Sequence, residues 1–218
     1  NENPNNTSIN NCLIIDPSIK LSFDSSSHQS YSISGRHSVK ITNEGSLLGI
    51  GFNSDNRISS SLQQKSINQF TEFCIKDSNG NNLSPVSAVC CQCGTLYMLS
   101  KSDGLGKKQL VLCDKGINNG KEVFLDIGDQ EPVALFGGYY NAASINNKGE
   151  IIFINRESII NSPSSPISSF SLPDGEKASS VACCNDVIVV LSSSGRVFSS
   201  VIEKGSNVLK FSEVNELS

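Results

Sequence analysis

The chain has no tryptophan, one methionine and two histidines among its 218 residues, and aromatic side chains make up only 6% of it. These shortages already narrow the chemistry. A nucleophilic hydrolase needs a histidine beside its serine or cysteine, and His28 and His37 leave little choice of partner; the Gly-x-Ser-x-Gly elbow does not occur. No run approaches the roughly 18 to 20 apolar residues of a membrane span, and no basic–apolar–small secretory leader is visible. Positive charge is short as well. Seventeen Lys and Arg face 21 Asp and Glu, for a net charge of −4 and a pI near 5.2, and Lys107-Lys108 is the only adjacent basic pair. A nucleic-acid backbone requires a clustered basic face, so direct binding to it is not expected. Helical periodicity is weak throughout, with at most one short turn over 60–66.

What is present is a strand–turn–strand pattern. Apolar residues, 37% of the chain, fall in short clusters separated by serine- and asparagine-rich intervals, as expected of many short strands joined by polar turns. In the copy Val39-Lys40-Ile41-Thr42-Asn43-Glu44-Gly45-Ser46-Leu47-Leu48, an apolar-rich strand ends in polar residues and a glycine, and a second strand follows. The pattern returns over 143–152 around Gly149 and over 189–198 around Gly195, with a looser copy over 96–111 around Gly104. Gly45, Gly104, Gly149 and Gly195 are the expected hairpin glycines, supplying a positive φ. Gly104 and Gly149 are 45 residues apart and Gly149 and Gly195 are 46 apart; a period of that size signals a repeat architecture, in which function resides on a surface. The spacing predicts units over 12–60, 61–115, 116–160 and 161–218, preceded by a polar, disordered tail over 1–11.

Eight cysteines, Cys12, Cys74, Cys90, Cys91, Cys93, Cys113, Cys183 and Cys184, are too few for a small disulfide scaffold. A zinc knuckle pairs cysteines two to four residues apart and repeats the pair. Here the second cluster is a Cys-Cys doublet, whose side chains would leave opposite faces of a strand. Val89-Cys90-Cys91 and Ala182-Cys183-Cys184 instead occupy one phase of the repeat, where the third copy has Phe136-Gly137-Gly138. Small residues there suit a tightly packed inner strand with cysteine acting as a small hydrophobe. Free thiols point to an intracellular compartment, cytoplasmic or nuclear; intact disulfides would instead favour a lectin-like propeller outside the cell.

The block 133–153, with Phe136-Gly137-Gly138-Tyr139-Tyr140-Asn141-Ala142-Ala143-Ser144-Ile145-Asn146-Asn147-Lys148-Gly149, resembles a repeat of the regulator of chromosome condensation family. The segments 181–198 and 35–53 follow the same order, and the latter keeps the family's closing Gly-x-Asn as Gly51-Phe52-Asn53. The family tryptophan is missing, with Ile50, Ile154 and Ser199 in its place, and the closing Gly-Gln-Leu-Gly has become Asn56-Arg57-Ile58-Ser59. The resemblance implies an all-β propeller, usually seven blades of four antiparallel strands. About four units would form part of such a ring, completed by further sequence, a partner or a second copy.

No catalytic, metal or cofactor site is expected. Asp126, Asp129 and Glu131 read as a solvated turn before Pro132, and the glycines and lysines of 104–108 lack the strand–loop–helix context of a phosphate loop. The candidate contact residues are Asp77, Asn79 and Asn81, at a strong turn signal in the longest interval, with Lys107 and Lys108. The expected function is a non-catalytic scaffold for protein partners. The alternative implied by the resemblance is nucleotide exchange on a Ran-type small GTPase.

Overall fold

A computed structural model describes residues 31–100, 108–114, 116–117, 121–162, 164–203 and 206–215. Its strands form four antiparallel four-stranded sheets, each a simple meander in chain order. The first holds β1 (Tyr31–Ile33), β2 (His37–Ile41), β3 (Leu47–Phe52) and β4 (Ser66–Phe73). The second holds β5 (Ser84–Cys90), β6 (Gly94–Ser100), β7 (Lys108–Asp114) and β8 (Val123–Phe124). β9 (Pro132–Gly137), β10 (Ala142–Asn146), β11 (Ile151–Ile154) and β12 (Ser169–Phe170) make the third. β13 (Ala178–Cys183), β14 (Val187–Ser192), β15 (Val197–Val201) and β16 (Ser212–Glu213) make the fourth. No helix among the described residues is long and apolar enough to cross a membrane.

The sheets do not start and stop where the hairpin spacing places the units. β4 lies beyond residue 60 yet pairs with β3, Leu47 opposite Phe73 and Phe52 opposite Ser66. Likewise β12, beyond residue 160, pairs with β11. The alternation over 70–76 marks a strand, but nothing local assigns it to the hairpin before it, so the hairpins mark each sheet without marking its edge. The tail over 1–11 lies outside the described residues.

The cores lie between consecutive sheets and follow from strand alternation. Tyr97, Leu99, Val111 and Cys113 face the first sheet and meet Val39, Ile41, Leu47 and Phe73. Their alternates Leu96, Met98, Leu110 and Leu112 face the third sheet and meet Leu135, Ala142, Ile152 and Ile154. The other face of the third sheet, Ala143, Ile145, Ile151 and Phe153, packs on Val181, Ile188, Val190 and Phe198 of the fourth. A strand buried on both faces therefore reads as a continuous apolar run, as Leu96-Tyr97-Met98-Leu99 does. Among the described residues no hydrophobic cluster joins the fourth sheet to the first. Leu191, four residues before its hairpin glycine, matches the buried Ile41 and Ile145 in position but is 43% exposed.

Small residues at the repeat's inner phase permit a close approach. A Cβ at Gly138 would lie 2.1 Å from the Cys183 carbonyl oxygen; within the second sheet, one at Gly94 of β6 would lie 2.0 Å from that of Cys113 in the paired β7. Seven of the cysteines are free thiols: Cys74, Cys90, Cys91, Cys93, Cys113, Cys183 and Cys184. Burial pushes the thiol of Cys91 and that of Cys183 up to about 12 and that of Cys90 to about 11. Cys90, Cys91, Cys113 and Cys183 are buried in the cores, which is cysteine as filler.

Candidate interaction faces

Antiparallel meanders sort the connections onto two faces. One carries the β2–β3, β10–β11 and β14–β15 turns together with the links between sheets; we call it the turn face. The other carries the β1–β2, β5–β6, β9–β10 and β13–β14 turns and the longer excursions before each outer strand; we call it the loop face.

The turn face is built from one repeated device. At each described hairpin of this face the residue three before the glycine is Thr42, Asn146 or Ser192, and its side-chain oxygen accepts from the N–H just after the glycine, at Ser46, Glu150 or Arg196 (3.1, 3.0 and 3.1 Å). Its carbonyl accepts the glycine N–H, and φ at Gly45, Gly149 and Gly195 is +81°, +79° and +90°. Gly104 and Lys107 lie outside the described residues.

Asp77 belongs to the same device. Its Oδ1 accepts from the N–H groups of Asn79 and Asn81, both at 2.9 Å, and its carbonyl accepts the Gly80 N–H. This turn links the first sheet to the second, closed by a bridge between Lys76 and Asn82. Asp77 thus braces the turn, while Asn79 and Asn81 remain exposed at its tip. Lys108, expected in a loop, opens β7 opposite Ser100, and its ammonium donates to the Pro132 carbonyl at 3.3 Å. On the same face Arg196 gathers Asp174, Glu176 and Glu213 at 3.0, 3.3 and 2.5 Å, its guanidinium 5.1 Å from the Phe198 ring centroid.

The loop face is organised by buried asparagines. Asn53, just after β3, donates from Nδ2 to the Ser59 and Leu62 carbonyls and accepts on Oδ1 from the Ile58 and Ser59 N–H groups. It thereby pins the degraded segment 56–59. Asn155, just after β11, caps α1 (Arg156–Asn161) by accepting from the N–H groups of Glu157 and Ser158. This short helix was not expected, although Asn155 followed by Glu157 is a cap signal. Over 60–66, where at most one short helical turn was expected, a single turn is closed by the Leu62 N–H on the Ser59 carbonyl at 3.4 Å, a 3-10 turn over Ser54–Asn56 precedes it, and Ser66 already begins β4.

His37 sits 2% exposed behind this face. The single hydroxyl proton of Thr95 goes to the Arg57 carbonyl at 3.0 Å, so His37 Nε2 is the donor in its 2.8 Å bond to Thr95 Oγ1. Burial, then the nearby Arg57 charge, lowers the His37 pKa to about 4. His37 is therefore an uncharged imidazole at neutral pH with its Nε2 proton spent on Thr95, and His28 lies outside the described residues. Among the described residues no three His, Cys, Asp or Glu side chains come together as a metal-binding group.

Next to the third sheet the face becomes aromatic. Tyr139 and Tyr140, each 44% exposed, stand at the β9–β10 turn with their rings edge to face and centroids 4.4 Å apart. The turn is held from below, because Gln92 N–H donates to the Tyr139 carbonyl and Gly138 N–H to that of Asn141. Beside it Arg156, in the first turn of α1, binds Asp114 of β7 through Nε and Nη2 at 2.7 and 2.8 Å.

The arrangement of four meandering, face-packed sheets can be compared with known proteins. Human WBSCR16 superposes with a TM-score of 0.58 at 14% identity, over 83% of this chain and 50% of that one. Prp20p of Saccharomyces cerevisiae, the yeast RCC1, superposes at 0.57 and 10% identity, over 85% of this chain and 50% of that one. The fold is that of an RCC1-like β-propeller. The four sheets are its blades, and the chain spans about half the length of these solved propellers. No family model matches the sequence, and no curated protein matches it either.

Proposed function

We propose that this RCC1-like propeller segment is a non-catalytic interaction module that binds protein partners through its loop face. The observation that carries this reading is the Tyr139–Tyr140 pair, two large amphipathic rings held exposed on a backbone fixed by the neighbouring blade. Tyrosine on a rigid support is a common binding anchor, because little conformational entropy is lost when it is covered. The buried thiols and the neutral His37 favour a binding role over chemistry. A second contact point is the exposed tip at Asn79 and Asn81 on the turn face. The free cysteines favour an intracellular setting, cytoplasmic or nuclear. Capture of partners from a cell extract by the wild type, compared with Tyr139→Ala/Tyr140→Ala, tests the reading. A partner retained equally by both overturns the assignment to this face.

Two finer readings follow from the same fold. The solved structure of Prp20p concerns its binding to Gsp1p and histones, which makes exchange on a Ran-type GTPase the runner-up. Release of labelled GDP from such a GTPase decides it, since an exchange factor must accelerate release. The exposed Leu191 and Val201 on the outer face of the fourth blade favour completion of the ring by further blades or a second copy. Light scattering on the purified chain checks this, because a clean monomer of 23.3 kDa with a cooperative melt contradicts it.

A further inference from the structure

Between the third and fourth blades, beside Tyr140, the loop face opens into a groove of about 460 Å³. The β9–β10 turn, the start of α1, the β13–β14 turn and the segment after β15 enclose it, contributing Tyr140, Arg156, Glu157, Asp186 and Glu203 to its walls. Glu157, Asp186 and Glu203 are exposed and form no ion pair among the described residues. Arg156 is the one described cation in the wall, and its guanidinium is already engaged by Asp114 at 2.7 and 2.8 Å. Among the described residues the groove therefore presents three carboxylates without an ion-pair partner next to an aromatic ring.

We propose that this groove takes a basic side chain, lysine or arginine, from an extended segment of a protein partner. The inference rests on the loop face being the interaction surface and adds the chemistry of what it binds. Three separate elements supply the carboxylates, so a cation entering the groove meets them from several sides, with the Tyr140 ring as a face for its charge. An anion would find the one described cation of the wall already spent and three carboxylates opposing it. An apolar side chain would find Ile202 as the sole aliphatic wall. Charge complementarity of this kind sets partner choice and association rate more than total affinity, which suits a scaffold that must select among partners.

The test uses the whole chain and fluorescein-labelled hexalysine, hexa-arginine and hexaglutamate peptides, read by fluorescence polarisation at low and at physiological salt. The expected result is saturable binding of the two basic peptides and none of hexaglutamate. Asp186→Asn/Glu203→Gln weakens that binding by about tenfold or more, and Tyr140→Ala weakens it less. Glu44→Gln/Asp129→Asn, which removes two carboxylates from the turn face, changes it by less than about twofold. Absence of saturable binding, or equal affinity for wild type and Asp186→Asn/Glu203→Gln, overturns the proposal. So does equal loss in the turn-face variant, which would mean diffuse attraction. A protein partner lost by Tyr139→Ala/Tyr140→Ala but held by Asp186→Asn/Glu203→Gln keeps the interaction surface and removes the basic ligand; a partner held by both variants removes both readings.

Discussion

Arg156 grips Asp114 with two nearly parallel hydrogen bonds, and the pair ties the helix of the third blade to the last residue of β7 in the second. The Asp114 side chain is 3% exposed and that of Arg156 is 21% exposed. Taking away the arginine strands a buried carboxylate whose remaining partner is the Gly116 N–H. Arg156→Ala should cost about 3 kcal/mol, the low end for breaking a buried pair because the guanidinium is partly solvated. Chemical denaturation of the variant measures it; a loss below about 1 kcal/mol would show that the pair does not fasten the blades.

The inner strands approach too closely for a side chain at certain points. Gly138→Ala places its methyl carbon against the Cys183 backbone, which cannot swing aside as a flexible side chain would. Separation of the third and fourth blades should follow, with a loss of about 2 kcal/mol. Gly175→Ala, where nothing lies within 4 Å of the added carbon, lacks this clash and carries only the cost of its positive φ of +73°. The two melting curves, compared directly, separate packing from backbone strain.

Stability should fall as the solution is acidified through the range set by His37. The folded pKa, about 4, lies below the ordinary 6.5. Between these values the unfolded chain binds the proton and the folded one does not, so stability rises with pH across the window and is fully present above 6.5. Folding free energy should be about 2 kcal/mol smaller at pH 5 than at pH 8. His37→Gln should remove most of that slope. An unchanged slope would mean that His37 is solvated and titrates normally.

Thiol labelling should divide the cysteines by burial. Cys90, Cys91, Cys113 and Cys183 lie in the blade interfaces with thiols raised by desolvation, whereas Cys184 is exposed and Cys74 and Cys93 are half-buried. At pH 8 the first four should resist a thiol reagent until denaturant is added. Mass spectrometry of the labelled chain checks this, and rapid modification of Cys91 or Cys183 would contradict the packing between blades.

The blades were legible in the sequence because the hairpin device is local. Thr42, Asn146 and Ser192 stand three residues before a glycine whose positive φ shows in the residue choice itself. The small inner residues were readable for a similar reason, since Cys90, Gly137 and Cys183 hold one phase of the repeat. The limits of the blades were harder to read, because β4 buries only Ile67 and Phe73 along an otherwise polar strand and β12 is two residues long. The loop face was hidden for a different reason. Tyr140, Arg156, Asp186 and Glu203 come from four separate segments, and no local spacing places them around one groove. Asp77 looked like a contact residue because turn braces and contact loops draw on the same amino acids.

A footprint of the bound protein tests the interaction reading most directly. The chain would be captured with a partner and compared with the free chain by hydrogen exchange and covalent labelling. The account predicts protection at the loop face, over 138–141, 155–158, 184–186 and 202–203, with loss of labelling at Tyr139 and Tyr140. Protection centred instead on the turn face, over 42–46, 77–81, 146–149 and 192–196, with both tyrosines labelled as in the free chain, would contradict it.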